Sequence, residues 1–149
     1  MFDNILYIAI VLDERWQEYL KTNVLPEMIN LLSEKYDSSW ANYKPFCHHM
    51  TLAFYRNMPP ELLEFTKENV GKEFTLTATD IGYSDKAIAV KVETNVPSAN
   101  SLKHVTLATN ISNGGKPFDS NGITNWFRMK KNLPMTGRLK IFCKLPLSL

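Results

Sequence analysis

Hydrophobic positions come first as an unbroken run, Ile5–Leu12 (ILYIAIVL), rich in β-branched residues and flanked by polar ones. Such a run predicts a strand buried on both faces. The spacing then lengthens to threes and fours: Trp16, Leu20, Val24, Leu25, Met28, Leu31 and Leu32 form one stripe across residues 13–36. That period predicts a helix, which Pro26 should kink or split in two. A loop rich in Ser, Asn and Tyr (37–45) leads to a strand over Phe46–Tyr55. PPELLEFTKENVG (59–71) predicts a helix, with proline at its start, acidic residues in its first turn and Gly71 at its end. Residues 73–93 alternate with period two on both sides of a glycine-containing turn, the pattern of a hairpin. A Pro/Ser/Asn connection (95–101) precedes a strand over Leu102–Thr109. A loop with one short helical turn (112–126) follows, and MTGRLKIFCKL (135–145) closes the chain as a strand.

Composition keeps this within one ordinary domain. The 149 residues are 44% hydrophobic and 21% charged, enough to bury a sizeable core, so a single α+β domain over residues 1–149 is expected. The net charge is +2, from 17 basic and 15 acidic residues, which argues against a polyelectrolyte that coats long nucleic acid and leaves room for a local basic patch. Cys47 and Cys143 form no CxxC and no disulfide framework, so two partly buried thiols in a reducing compartment are expected. The first apolar run lacks a basic leader and is too short to cross a bilayer; the expectation is a cytoplasmic protein without a membrane partner, monomeric by preference.

One phrase changes the picture. HHMTLAFY (48–55) and KHVTLATN (103–110), aligned on His49 and His104, share His, an apolar residue, Thr, Leu and Ala. The chain has three histidines, and chance repetition of His-x-Thr-Leu among them is on the order of one in ten thousand. On a strand, alternate residues share a face, so His49, Thr51 and Ala53 should line one side, with Met50, Leu52 and Phe54 in the core. His104, Thr106 and Ala108 should do the same, opposite Val105 and Leu107. Each strand then offers an imidazole and a hydroxyl side by side. Cleaving a phosphodiester by acid–base catalysis needs one group to take a proton and one to give it. Histidine suits both, and threonine hydroxyls can donate to phosphate oxygens.

The pair HMTL and HVTL resembles the signature of the 2H phosphoesterase superfamily, which includes RNA 2′,3′-cyclic phosphodiesterases, the phosphodiesterase domain of some tRNA ligases and viral nucleotide-cleaving enzymes. The resemblance implies a two-lobed, pseudo-symmetric α+β fold, with antiparallel sheets around a central cleft and helices outside. It implies His49 and His104 as catalytic and Thr51 and Thr106 as phosphate-binding, without a cofactor or metal. Its substrates would be 2′,3′-cyclic phosphates at RNA ends or on short nucleotides, with cyclic oligonucleotide messengers as the alternative. A non-catalytic RNA- or nucleotide-binding module is the rival outside enzymology.

Other residues stay candidates. Lys116 in NGGKPF, Tyr55 and Trp126 are possible substrate contacts. Trp40, Tyr43, Tyr83 and Phe127 are further stacking candidates, and Lys44 and Lys103 flank the motifs. His48 is expected at the core face or strand edge. A Cys47–His49 nucleophile pair is conceivable, whereas zinc on Cys47, His48, His49 and His104 conflicts with strand alternation.

Overall fold

The computed structural model describes residues 4–35 and 40–144. Part of the expected 37–45 loop, and Leu145 of the closing strand, lie outside the described residues. Strand β1 (Ile5–Leu12) leads into α1 (Glu14–Tyr19), a π-helical turn (Leu20–Val24) and α2 (Leu25–Lys35). The helix does not break. Pro26 lacks the N–H that would reach back to Thr22, and just before it the helix widens, with the Leu25 N–H bonding the Leu20 carbonyl. Leu20, Leu25, Met28 and Leu32 enter the core, but Leu31, expected on that stripe, is 55% exposed.

The strands β2 (Tyr43–Pro45), β3 (His49–Phe54), β4 (Glu73–Tyr83), β5 (Ala87–Glu93), β6 (His104–Asn110) and β7 (Asn125–Cys143) join β1 in one antiparallel sheet, ordered β2-β6-β5-β4-β7-β1-β3. The helix α3 (Pro60–Asn69) connects β3 to β4. One continuous sheet stands where separate sheets were expected, because β7 begins ten residues before the predicted closing strand. At 19 residues it reaches across the molecule, pairing with β4 at one end and β1 at the other. The β4–β5 turn is Ser84–Lys86, where the Ser84 hydroxyl accepts from the Ala87 N–H at 3.2 Å. Gly82, expected in that turn, lies inside β4.

The sheet curls on itself through one segment. Phe46 and Cys47 donate backbone hydrogen bonds to β6 (Leu107 and Thr106 carbonyls, 2.8 and 3.0 Å). Two residues later the same segment pairs with β1 as β3. Cys47 makes the change of direction with φ = 53°, in the left-handed region. Because β2 and β3 belong to one stretch of chain, β3 and β6 are brought face to face although they lie far apart in strand order.

Both His-x-Thr-Leu-Ala strands carry the same irregularity. In β3 the register steps from Ala9↔Thr51 to Ile8↔Ala53; in β6 it steps from Ala89↔Thr106 to Ile88↔Ala108. In each, leucine is the extra residue of a bulge, which resets the alternation. Leu52 and Ala53, like Leu107 and Ala108, therefore sit consecutively in the core. This corrects the expected placement of Ala53 and Ala108 on the site face and of Phe54 in the core: Phe54 is 50% exposed.

Candidate active site

Between β3 and β6 lies a cavity of about 280 Å³ lined by His49, Thr51, His104 and Thr106, together with His48, Tyr7, Phe46, Phe54, Asn100, Pro117, Phe118 and Asn121. The four residues of the repeated phrase thus share one cavity. Pro117, Phe118 and Asn121 belong to a 3₁₀ segment (Pro117–Gly122) that follows β6 and forms one wall.

Each histidine is held through Nδ1. His104 donates from Nδ1 to the Leu102 carbonyl at 2.7 Å, since a carbonyl can only accept. Its neutral tautomer therefore carries the proton on Nδ1 and leaves Nε2 unprotonated. His49 Nδ1 lies 3.0 Å from Nδ1 of His48. His48 is not on the core face: it precedes β3, just after the left-handed Cys47, where strand alternation does not apply. Its carbonyl accepts from the Leu12 N–H and its ring joins the cavity wall.

Burial sets the charge states. Desolvation, then the neighbouring His48 and His104, pushes the His49 pKa down to about 4. Desolvation also lowers His104, opposed by its bond to the Leu102 carbonyl, which favours the cation. His48 is lowered by desolvation and then by Lys21 and Lys140. All three imidazoles are thus held toward the neutral form.

The two threonines differ. Thr106 Oγ1 is 2.8 Å from Oγ of the fully buried Ser120, tying β6 to the 3₁₀ wall. Thr51 is anchored by its carbonyl, which accepts from Ser98 Oγ at 3.2 Å. Among the described residues its hydroxyl has no protein partner.

The remaining candidates lie elsewhere. Lys116 precedes the 3₁₀ wall, and its backbone N–H donates to Asp119 Oδ2 at 2.8 Å. Of the two glycines before it, Gly114 takes a left-handed φ of 66°, and Gly115 serves close packing, since a Cβ there would sit 2.2 Å from the Lys86 carbonyl. Tyr55 is engaged outside the cavity by Arg56 (Nε to the hydroxyl, 2.9 Å) and by Lys144, 3.9 Å from the ring centroid. Trp126 lies flat on Gly82, donates from Nε1 to the Ile123 carbonyl at 3.1 Å and supports the 3₁₀ wall from behind. Trp40 is core, Tyr43 packs against it, and Tyr83 and Phe127 stack on each other at 5.9 Å. Lys103 bonds the Thr94 carbonyl, and Lys44 lies over the Phe46 ring.

The aromatic rings that do line the cavity, Tyr7, Phe46, Phe54 and Phe118, were not singled out from the sequence. Tyr7 and Phe54 have centroids 5.5 Å apart, and Phe142 stacks behind Tyr7 at 4.4 Å. Phe118 is 77% exposed. Ser120 also escaped notice, because a serine in a loop carries no periodic signal. Cys47 is fully buried in the core, its thiol pushed up to about 12 by desolvation, which removes it as a nucleophile or zinc ligand; Cys143, expected partly buried, is exposed. Among the described residues no three His, Cys, Asp or Glu side chains are grouped to hold a metal, and no helix is long and apolar enough to cross a membrane.

No family model and no curated protein matches the chain. Its fold is similar to part of a solved structure titled a crystal structure of fungal RNA kinase, with a TM-score of 0.65 and 13% identity over 97% of this chain. The match covers 46% of that protein, so this chain corresponds to less than half of it.

Proposed function

We propose that the protein is a phosphodiesterase of the 2H type, in which two imidazoles open a 2′,3′-cyclic phosphate at an RNA end or on a short nucleotide. The observation that carries this reading is the convergence of His49, Thr51, His104 and Thr106 on one cavity from two strands with the same bulge. The matched bulges also support two related halves. The fold shared with a protein titled an RNA kinase fits an RNA-related substrate.

The chemistry assigns roles. His49, held neutral most strongly, takes the proton of the attacking water. His104, whose Nδ1–H···O=C bond favours the cation, becomes the acid once a phosphate anion enters. Water attacks phosphorus, one ribose P–O bond breaks, and His104 protonates the departing ribose oxygen. Thr51 and Thr106 donate to the non-bridging oxygens as charge builds there. Cyclic oligonucleotide cleavage is the second reading, favoured by the exposed rings of Phe54 and Phe118 beside the cavity, which offer stacking surface for further bases.

The test is a panel of 2′,3′-cyclic mononucleotides, cyclic-ended RNA, cyclic dinucleotides and their all-deoxy counterparts, incubated in excess EDTA. A 2′- or 3′-monophosphate from a cyclic end supports the first reading, and a linear product ending in a cyclic phosphate supports the second. Equal turnover of all-deoxy linkages would refute both.

A further inference from the structure

We infer that His48 is a proton-relay and positioning residue for the base His49, accepting the Nδ1 proton of His49 as Nε2 takes the proton of the attacking oxygen. The inference rests on the phosphodiesterase reading and adds a third imidazole to it.

The geometry is specific. The two Nδ1 atoms are 3.0 Å apart and the rings stand edge to face, at 82° with centroids 5.2 Å apart. Two neutral imidazoles meeting nitrogen to nitrogen share one proton between them. With that proton on His49, its Nε2 is an unprotonated base; with it on His48, Nε2 of His49 carries hydrogen and donates. The position of one proton therefore switches His49 between acceptor and donor at the cavity.

The surroundings give that switch a purpose. His49 is a poor place to leave a positive charge, since it is half-buried and desolvated against Tyr7 and near His104. His48 is less enclosed and is flanked by Lys21 from the π-helical turn and Lys140 from β7, which favour its giving the proton up again. The step balances. The attacking oxygen loses H⁺ to His49 Nε2, His49 Nδ1 passes H⁺ to His48 Nδ1, and His48 Nε2–H releases H⁺ to water. No oxidant or cofactor enters, and the buried ring ends neutral. The reverse passage through the same pair resets the site.

Three variants test this on the substrate that the wild type turns over. His48→Phe keeps a ring of similar bulk and removes both nitrogens. We expect kcat to fall about 10- to 100-fold with KM nearly unchanged, and the acid limb of the pH–rate profile to move. His48→Ala should regain activity with added imidazoles, more so as their basicity rises. His49→Ala is the reference that carries the parent reading. Wild-type kcat and pH profile in His48→Phe, with His49→Ala inactive, would overturn the relay and leave the phosphodiesterase standing. A slow His48→Ala that no imidazole restores would assign His48 to packing alone and equally overturn it. Should no substrate be found, ¹⁵N NMR of the histidine rings decides: the His49 Nδ1 resonance should shift in His48→Phe, and an unchanged one overturns the inference.

Discussion

His49 and His104 look alike in sequence and differ in what holds them, a neighbouring imidazole in one case and a backbone carbonyl in the other. Both His49→Ala and His104→Ala should lower kcat by about 10²–10⁴ while leaving the fold intact, measured by turnover and thermal melting side by side. The threonines should separate. Thr51→Val removes a hydroxyl with no protein partner among the described residues, so its cost, about 1–3 kcal/mol, should appear in kcat/KM and not in stability. Thr106→Val also strands the buried Ser120 hydroxyl, and should lose about 1–2 kcal/mol of folding stability besides, seen as a lower urea midpoint. Neutral burial of His49 has its own signature. The unfolded chain binds this proton near pH 6.5 and the folded chain only near 4, so between those values the unfolded state holds more protons. Stability should decline as pH falls across that window, by up to about 3 kcal/mol, and be constant above it. His49→Gln should reduce the decline in pH-dependent urea titrations, leaving the share carried by the lowered His48 and His104. The motif residues were legible because a repeated phrase stands out from composition. His48 was not, because its position depends on a left-handed Cys47 that nothing local announces.

At the level of elements, the bulges decide what each strand shows the cavity. Strict alternation sent Phe54 to the core and Ala53 to the site, and one extra residue at Leu52 exchanges them. Truncating either bulge leucine, both fully buried, should cost about 2–5 kcal/mol and loosen the strand that carries the histidine. The wall formed by residues 117–122 depends on a more distant contact. A Cβ at Gly82 would lie 2.4 Å from the Trp126 ring, which holds the Ile123 carbonyl. Gly82→Ala should therefore displace Trp126 and disturb the Ser120–Thr106 bond. The expected outcome is a kcat/KM about tenfold lower with kcat less affected, and a KM equal to wild type would show that the wall does not need this support. Period-two and period-three patterns found most strands and the helices, whose apolar faces are set by neighbours in sequence. They missed the first ten residues of β7, NWFRMKKNLP, whose polar positions suggest a loop until the partner strand β4 is in place.

For the whole molecule, the cavity exists because the sheet curls until β3 faces β6. Anion binding there should be coupled to proton uptake: a phosphate entering among imidazoles held neutral by burial favours their charged form. Binding of a nucleoside monophosphate should tighten as pH falls from 7 toward 5, and calorimetry in buffers of different ionisation enthalpy should report protons taken up. Affinity independent of pH would contradict the neutral state of the free site. Sequence alone determined the α+β class, the central strands, the amphipathic helix and the four residues of the repeated phrase, because these are local facts of period, residue chemistry and repetition. Tertiary structure decided the single curled sheet, the exchange of Phe54 and Ala53, the partners of His48 and Ser120, and the aromatic lining of the cavity. Those follow from register and from contacts between segments far apart in the chain, where one bulge or one left-handed residue redirects every side chain after it.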